Sequence, residues 1–254
     1  MASTPANQPE PTLPLFYGSV VPLSSQTHAT YGLKPRENLA FANRSHAIPV
    51  TVDEFPMCQR SHPIVFGLGE GAAPLALLGL QEGSNLYIDS EGQWEPNAYV
   101  PAFVRRYPFM LARLSSDSQD LSLCFDETSE QLAADAGEPL FVDGQPSETT
   151  KSVLNFCEQF EQAVGRTRLF IEELTKLNLL MDGEVTIQRE GLVEPAVYRG
   201  FRMVDENRLQ NLRGDQARKL VQNGMMGLIY AHLFSLSHIS PLFERQYAAA
   251  QQQA

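Results

Sequence analysis

The sequence predicts an α+β fold, in which a β-rich region over residues 15–126 packs with two long helices. Two patterns lead to this prediction. In the first half of the chain, short apolar runs with β-branched residues are separated by clusters of Gly, Pro, Ser and Asn, which is typical of short strands joined by turns. After Pro146, apolar residues recur every three or four positions, as on one face of a helix. Strands grouped before helices favour α+β over an alternating α/β chain.

The first half of the chain is expected to be mostly strands and turns. The glycines at 67, 69 and 71 predict a hairpin turn, because the run lacks the Lys-Ser/Thr of a phosphate-binding loop. Asp53 is expected to cap a short helix. Residues Ala98–Tyr107 are expected to form about two helical turns that Pro108 ends. The predicted strands are Leu15–Leu23, His28–Leu33, Ala47–Val52, Pro63–Phe66, Pro74–Leu80, Asn85–Asp89, Phe109–Leu114 and Leu121–Asp126.

The second half is expected to hold the two long helices, over about residues 147–178 and 215–237, with a strand pair between them. The pair is predicted at Val185–Arg189 and Val197–Val204, after a turn at Asp182-Gly183. The apolar stripe of the first helix comprises Val153, Phe156, Phe160, Ala163, Thr167, Phe170, Leu174 and Leu177.

The domain prediction is a single α+β domain over residues 15–240. Residues 1–14 are rich in Pro, Ser, Thr and Gln and are expected to be a disordered lead-in. Residues 241–254 end in Ala and Gln and are expected to be a frayed C-terminal tail. The stretch Thr128–Gln145 is the one place where a seam between two halves is plausible.

Composition excludes several classes of protein. The formal charge of −11 disfavours general nucleic-acid binding, since phosphate backbones repel an acidic surface. Three cysteines without a CxxC motif disfavour a disulfide framework or a zinc ribbon. The N-terminal segment lacks the pattern of a secretory signal. The uncharged span Val221–Phe243 contains histidines, serines and amides, so we expect no transmembrane segment. These points predict a soluble, cytoplasmic protein.

The segment Trp94–Phe109 is the leading candidate for a binding site. It combines the sole tryptophan, three prolines and the pair Arg105-Arg106. Consecutive helical residues point about 100° apart, so one arginine is expected to bind an anionic ligand and the other to tie the helix to the body, through Asp126 or Glu127. The alternative is that both arginines form structural ion pairs or are solvated. Three aromatic residues are expected to line a ligand cleft, or else to pack in the core: Trp94, Tyr99 and Tyr107.

Other reactive side chains give weaker signals. Asp126 and Glu127 follow a strand and are candidates for a general base or metal ligand, or for turn formers and arginine partners. The five histidines show no metal-binding spacing, and His232 is expected to be a buried, hydrogen-bonded residue. No GxSxG motif is present. The sequence therefore identifies no catalytic residue, no metal site and no cofactor.

Several segments together resemble the bacterial SapC family, over roughly residues 15 to 240. This is the family named for surface-layer loci, and it differs from the peptide-transporter permease and from the saposins that share the label. The Gly200-Phe-Arg-Met203 segment departs from the usual family pattern, so no site is placed on Arg202. The matching segments are Ala47–Thr51, Glu54–Pro56, His62–Phe66, Tyr99–Phe109, Leu123–Asp126, Gly137–Phe141, Val204–Glu206 and Tyr230–Leu236.

The resemblance implies little chemistry. Genes of this family often occur beside TonB-dependent receptors and proteins similar to flavin-dependent tryptophan halogenases, which implies partners in nutrient uptake or small-molecule modification. The leading hypothesis is a non-enzymatic small-molecule-binding or accessory protein, with an anionic or aromatic ligand. The alternatives are an enzyme or enzyme subunit acting on aromatic or amino-acid-derived molecules, and a structural protein of the surface layer.

Overall fold

The structure is a computed structural model that describes residues 13–69, 71–114, 120–187 and 196–252. The architecture is mixed α+β, as predicted from the sequence. The strands are β1 Val20–Pro22, β2 Tyr31–Leu33, β3 Ala47–Pro49, β4 Ile64–Phe66, β5 Pro74–Leu77, β6 Phe109–Arg113, β7 Leu121–Asp126, β8 Leu132–Ala134, β9 Glu138–Pro139, β10 Phe141–Val142, β11 Gln145–Pro146, β12 Leu180–Ile187 and β13 Ala196–Val204. The helices are α1 Phe55–Cys58, α2 Ala102–Arg106, α3 Glu148–Lys176, α4 Glu206–Gln210, α5 Gly214–Gln222, α6 Met225–Ser235 and α7 Ile239–Gln252.

Contacts along the chain group the residues into two compact units. The first unit comprises the residues up to Pro35 and Tyr107–Leu154, and the second comprises Arg36–Arg106 and Asn155–Ala254. The single domain expected over residues 15–240 stays a prediction. Among the described residues, no helix is both long enough and apolar enough to cross a membrane.

The first unit contains short antiparallel sheets. One sheet has the order β1-β7-β6, a second has the order β8-β2-β9, and β10 pairs with β11. A cis peptide bond joins Tyr107 to Pro108, just before β6. The Tyr17 hydroxyl donates to the Phe109 carbonyl (2.6 Å), which fastens the segment before β1 to the start of β6. Buried side chains from these strands, such as Leu111 and Phe125, form the core of the unit.

The second unit is built on a five-stranded antiparallel sheet with the order β12-β13-β4-β5-β3. Its core combines apolar residues of this sheet with residues of α1, α3 and α6. Each fully buried aliphatic or aromatic side chain there stabilises the fold by about 2 kcal/mol. Among the largest are Phe55, Phe66, Phe170, Leu174 and Ile229.

His232 of α6 is inserted between two strands of this sheet. The pairing of Arg202 with Phe66 places Val204 of β13 opposite Ile64 of β4. The Val204 amide donates to His232 Nε2 (3.0 Å), so Nδ1 carries the proton and donates to the Ile64 carbonyl (2.8 Å). Ser235 accepts from the Ile64 amide (2.8 Å). The prediction of a buried, hydrogen-bonded His232 is confirmed, and its role is to join α6 to both strands.

The predicted helix over about residues 147–178 is confirmed as α3, within two residues at each end. Its apolar stripe is buried at Phe160, Ala163, Phe170 and Leu174. Thr167, within the stripe, accepts from the Val52 amide (2.9 Å) and donates to the Ala163 carbonyl (2.7 Å), which satisfies its hydroxyl inside the core.

Two predictions in the second half were wrong in detail. Gly183 lies inside β12 and not in a turn, because the Phe201 ring of β13 lies where a side chain would be: a Cβ at Gly183 would lie 2.1 Å from Phe201 Cε2. The helix expected over residues 215–237 is divided into α5 and α6 at Gly224, whose φ of 80° is left-handed and interrupts helical geometry.

The C-terminal residues, predicted to fray from residue 241 onward, form α7 as far as Gln252. This helix is held because Ile239 and Leu242 are buried one turn apart and the Arg245 guanidinium pairs with Glu95. In the first half, Asn85–Asp89 forms turns with one isolated bridge, from Ile88 to Trp94, in place of the predicted strand. The predicted hairpin after Phe66 is confirmed by the pairing of β4 with β5.

Candidate functional site

The adjacent arginines of α2 have different surroundings. Arg106 is 7% exposed, and its guanidinium lies over the rings of Phe103 (4.5 Å) and Phe160 (4.3 Å) and pairs with Glu161 (3.5 Å). Arg105 is exposed. The difference follows from helix geometry, since neighbouring positions point about 100° apart. Arg106 therefore braces the core, through Glu161 of α3, while Arg105 faces solvent.

Arg105 is held in place although it is exposed. Its Nε donates to the Val100 carbonyl (3.0 Å) and its Nη2 donates to the Tyr99 hydroxyl (3.1 Å). The guanidinium carbon lies 5.7 Å from the centre of the Tyr99 ring and 5.3 Å from that of Phe156. A guanidinium has about five N–H donors, so three remain without a protein acceptor in the described part of the chain. No described carboxylate forms an ion pair with Arg105.

Tyr99 is fixed at its amide, carbonyl and hydroxyl. Its amide donates to the Ser61 hydroxyl (3.1 Å), and its carbonyl accepts from His62 Nε2 (2.7 Å). Its hydroxyl donates to Glu54 Oε1 (3.0 Å) while accepting from Arg105. Burial, with the nearby charge of Glu54, raises the pKa of Tyr99 to about 12, so the phenol stays neutral at physiological pH. Arg105 therefore rests on a support with a fixed position.

Glu54 is the buried centre of this support. Besides Tyr99, its Oε1 accepts from the amide of Ala102, the first residue of α2 (2.6 Å). Its Oε2 accepts from the amide (2.8 Å) and hydroxyl (2.9 Å) of Thr51. Four donors thus hold one carboxylate that is 5% exposed. The helix cap predicted at Asp53 was wrong: Asp53 instead forms a surface ion pair with Arg166 of α3 (2.6 Å).

Arg105 lines two clefts. The larger cleft has a volume of about 580 Å³, within the range of small-molecule sites. Among the described residues that line it, the charged ones are Arg60 and Arg105. Both are exposed, and neither forms an ion pair with another described residue. Met57, Tyr99 and Val100 supply apolar surface. The cleft is therefore positively charged, with walls that are partly nonpolar.

The smaller cleft has a volume of about 340 Å³ and also includes Val100 and Arg105. Trp94 forms part of its wall and stacks on Tyr87, with ring centres 6.2 Å apart. The other charged lining residues are one base, Arg36, and one acid, Glu37. This cleft thus offers an aromatic wall and mixed charge. We call Tyr99, Val100, Arg105, Phe156 and the two clefts the Arg105 site.

Behind Trp94, the rings of His62 and Tyr87 fill the interior, with centres 4.4 Å apart. His62 is fully buried, and this burial lowers its pKa to about 4. Since its Nε2 donates to the Tyr99 carbonyl, the proton lies on that nitrogen. The neutral imidazole therefore fixes the backbone of Tyr99, and with it the position of the Arg105 site.

The other predicted site residues lie in the first unit and form a closed network. The buried carboxylate of Asp126 accepts from the amides of Gly18 (2.9 Å), Ser19 (3.0 Å) and Thr128 (3.1 Å). It also accepts from the hydroxyls of Thr128 (2.8 Å) and Tyr107 (3.2 Å). Burial alone would raise the pKa of Asp126, but these hydrogen bonds outweigh it and lower the pKa below its ordinary value.

This arrangement gives Asp126 a structural task, which is to join β7 to the segment before β1. The neighbouring Glu127 is exposed and accepts from the Ser19 hydroxyl (2.6 Å). The structure thus gathers Trp94, Tyr99 and Arg105 at one site in the second unit. It places Tyr107, Asp126 and Glu127 in the first unit, where they bond to their own unit.

Sequence reasoning missed three contributors to the Arg105 site: Glu54, Arg60 and Phe156. The spacing Thr51-x-x-Glu54 was a usable signal for Glu54, because it matches the capping-box pattern. Phe156 was assigned to the core stripe of α3, and Arg60 gave no signal. Within the described ranges, no group of three or more His, Cys, Asp or Glu side chains is arranged to hold a metal ion.

Comparison with known proteins gives one family. No curated protein matches the chain, and no solved structure matches it. The SapC family model matches residues 23–242, which is most of the sequence and includes every residue of the Arg105 site. The matched range also covers Tyr107, Asp126 and Thr128 of the Asp126 network, but it begins after Gly18 and Ser19. On this basis the protein belongs to the SapC family.

Proposed function

We propose that this SapC-family protein is a non-enzymatic binding or accessory protein that recognises a small anionic molecule at the Arg105 site. The anion lies in the larger cleft and is bound by Arg60 and Arg105, while Met57 and Tyr99 contact the rest of the molecule. The proposal places this activity in the cytoplasm, in support of nutrient uptake or a cell-surface process.

The observation that carries the proposal is the state of the Arg105 guanidinium. It is exposed, it lines both clefts, and three of its N–H groups are left without an acceptor in the described structure. Arginine presents these donors in a fixed fork that matches a carboxylate or phosphate in two-point contact. A guanidinium that served only stability would be expected to pair with a carboxylate, as Arg106 does with Glu161.

Preorganisation supports the same reading. An exposed arginine normally loses side-chain freedom when it binds, and this loss weakens affinity. Here Tyr99, Val100 and Phe156 already restrict the side chain of Arg105. Because Tyr99 is itself anchored by buried Glu54, the support is rigid.

The cysteines support a reducing compartment. Cys58, Cys124 and Cys157 are free and buried. Burial raises the pKa of all three thiols, which keeps them protonated and unreactive. Free, buried thiols are ordinary in cytosolic proteins.

The test is native mass spectrometry of the freshly purified protein, followed by calorimetric titration with acetate and inorganic phosphate. We expect one anion to bind the wild-type protein with at least tenfold higher affinity than it binds Arg105→Ala. The matched control is Arg218→Ala, which removes an exposed arginine of α5 that lines neither cleft. Equal affinity in the wild type and Arg105→Ala would reject the proposal.

A further inference from the structure

The two clefts of the Arg105 site adjoin each other and differ in charge. They share Val100 and Arg105 as lining residues, which makes them neighbours. The charged residues that line the larger cleft are arginines, whereas the smaller cleft adds Arg36 and Glu37, whose charges oppose each other. An anionic group is therefore stabilised in the larger cleft, where no described lining carboxylate repels it.

The smaller cleft suits the neutral part of a ligand. Trp94 presents an aromatic surface backed by Tyr87, and Leu39 and Val100 add aliphatic surface. The Arg36 guanidinium is engaged, since it donates to the Val104 carbonyl (3.2 Å) and lies over the Phe41 ring (5.7 Å). A flat, uncharged ring can pack against Trp94 with offset or edge-to-face geometry.

We propose that the Arg105 site binds one elongated ligand across both clefts, a small carboxylic acid with a neutral ring, its carboxylate in the larger cleft and its ring beside Trp94. This inference rests on the proposed anion-binding function. It adds the chemical class of the ligand and its orientation. Arg105 is the junction, because it lines both clefts and its guanidinium lies over the ring of Tyr99.

The sequence provides a reporter for this orientation, because Trp94 is the sole tryptophan. The emission of Trp94 changes if a ring enters the smaller cleft and stays constant if only the larger cleft is filled. The probes are acetate, phenylacetate and 3-phenylpropionate, with 3-phenylpropanol as the uncharged counterpart. Each is titrated into the full-length protein and followed by calorimetry and by fluorescence excited at a wavelength that tryptophan alone absorbs.

We expect affinity to rise along the series, with 3-phenylpropionate binding at least tenfold more tightly than acetate. Binding of 3-phenylpropionate should change the Trp94 emission. The uncharged 3-phenylpropanol should bind at least tenfold more weakly than 3-phenylpropionate. Both Arg60→Ala and Arg105→Ala should abolish the emission change, whereas Arg218→Ala should retain it. Thermal unfolding of each variant checks that it is folded.

The outcomes separate the two proposals. If acetate and 3-phenylpropionate bind equally, depend on Arg105 and leave Trp94 unchanged, the spanning orientation is rejected and anion binding stands. If 3-phenylpropionate changes Trp94 equally in Arg105→Ala, the assigned role of the carboxylate is rejected. If none of the acids binds but inorganic phosphate does, the carboxylic-acid ligand is rejected and anion binding stands; if phosphate does not bind either, both proposals are rejected.

Discussion

Asp126 in the first unit and Arg105 in the second unit show two ways to hold a charge. The Asp126 carboxylate is buried and accepts hydrogen bonds from Gly18, Ser19, Thr128 and Tyr107. Arg105 is fixed by two hydrogen bonds, but three of its donors have no acceptor in the described structure. Both side chains are held in a fixed position, but only the Asp126 carboxylate has its hydrogen-bonding capacity fully used. This contrast distinguishes a structural charge from the proposed binding group and can be tested residue by residue.

The largest expected effect is a loss of stability at acidic pH, caused by His232, which is buried and hydrogen-bonded at both ring nitrogens. Its burial lowers its pKa to about 4, against an ordinary value of 6.5. As the pH falls, the histidine is therefore protonated in the unfolded chain before it is protonated in the folded chain. Its contribution to the free energy of unfolding is complete above pH 6.5 and decreases as the pH drops from 6.5 to 4. The loss approaches about 3 kcal/mol for this histidine. Urea unfolding at several pH values measures it.

His232→Gln is the matched variant, because glutamine can also accept from the Val204 amide and donate to the Ile64 carbonyl but does not titrate. His62 has a pKa lowered to about 4 as well, so the variant should lose roughly half of the dependence on pH that these two histidines cause. A variant that keeps the full dependence contradicts the assignment.

The next effect concerns Asp126 itself. Asp126→Asn replaces one acceptor oxygen by an NH₂ group that faces donors, so the free energy of unfolding should fall by about 2 kcal/mol. Glu127→Gln, at the exposed neighbour, should change it by less than about 0.5 kcal/mol. Denaturant titration compares the two. Similar small losses in both variants would show that the Asp126 network is not structural.

Glu54 combines both cases. It is a buried carboxylate that accepts four hydrogen bonds, and it supports the exposed Arg105 through Tyr99. Glu54→Gln should lower stability by about 1.5 kcal/mol, because its amide opposes the donors of Thr51. It should also weaken anion binding, because Tyr99 loses its charged acceptor. Asp53→Asn, which breaks a surface pair, serves as the control for both measurements. Unchanged binding in Glu54→Gln would show that Tyr99 holds Arg105 without it.

The smallest expected effect on stability is that of Arg105→Ala. Because Arg105 is exposed and lacks a carboxylate partner among the described residues, its removal should change the free energy of unfolding by less than about 0.5 kcal/mol. Arg106→Ala should cost about 2 kcal/mol, since it leaves Glu161 without its cation and removes contacts with Phe103 and Phe160. If thermal or urea unfolding shows the same loss of stability in both variants, the assignment of different roles to the two arginines is wrong.

The sequence predicted those parts of the fold that depend on local periodicity. Helix α3 was predicted closely because its stripe repeats over many turns, and β7 was predicted because an apolar run ends at Asp126. The errors depend on contacts distant in sequence. The Phe201 ring holds Gly183 in a strand, and buried Leu242 keeps α7 helical. No local pattern contains these partners.

The candidate site shows the same limit. Helix geometry predicted that Arg105 and Arg106 diverge, because that depends on consecutive positions. The partners Glu161 and Phe156 could not be predicted, since they lie some fifty residues away along the chain and meet α2 only in the folded unit. Glu54 was predictable in part, from its spacing to Thr51, but its bonds to Tyr99 and Ala102 were not.

The most direct test of the account follows the guanidinium Nε–H signals of Arg105 and Arg106 by ¹H–¹⁵N NMR while acetate is added. The Arg105→Lys and Arg106→Lys variants assign the two signals. The account predicts a saturable shift for Arg105, whose remaining donors bind the anion, and no comparable shift for Arg106. A shift at Arg106 equal to that at Arg105, or no shift at Arg105 at saturating acetate, would contradict it.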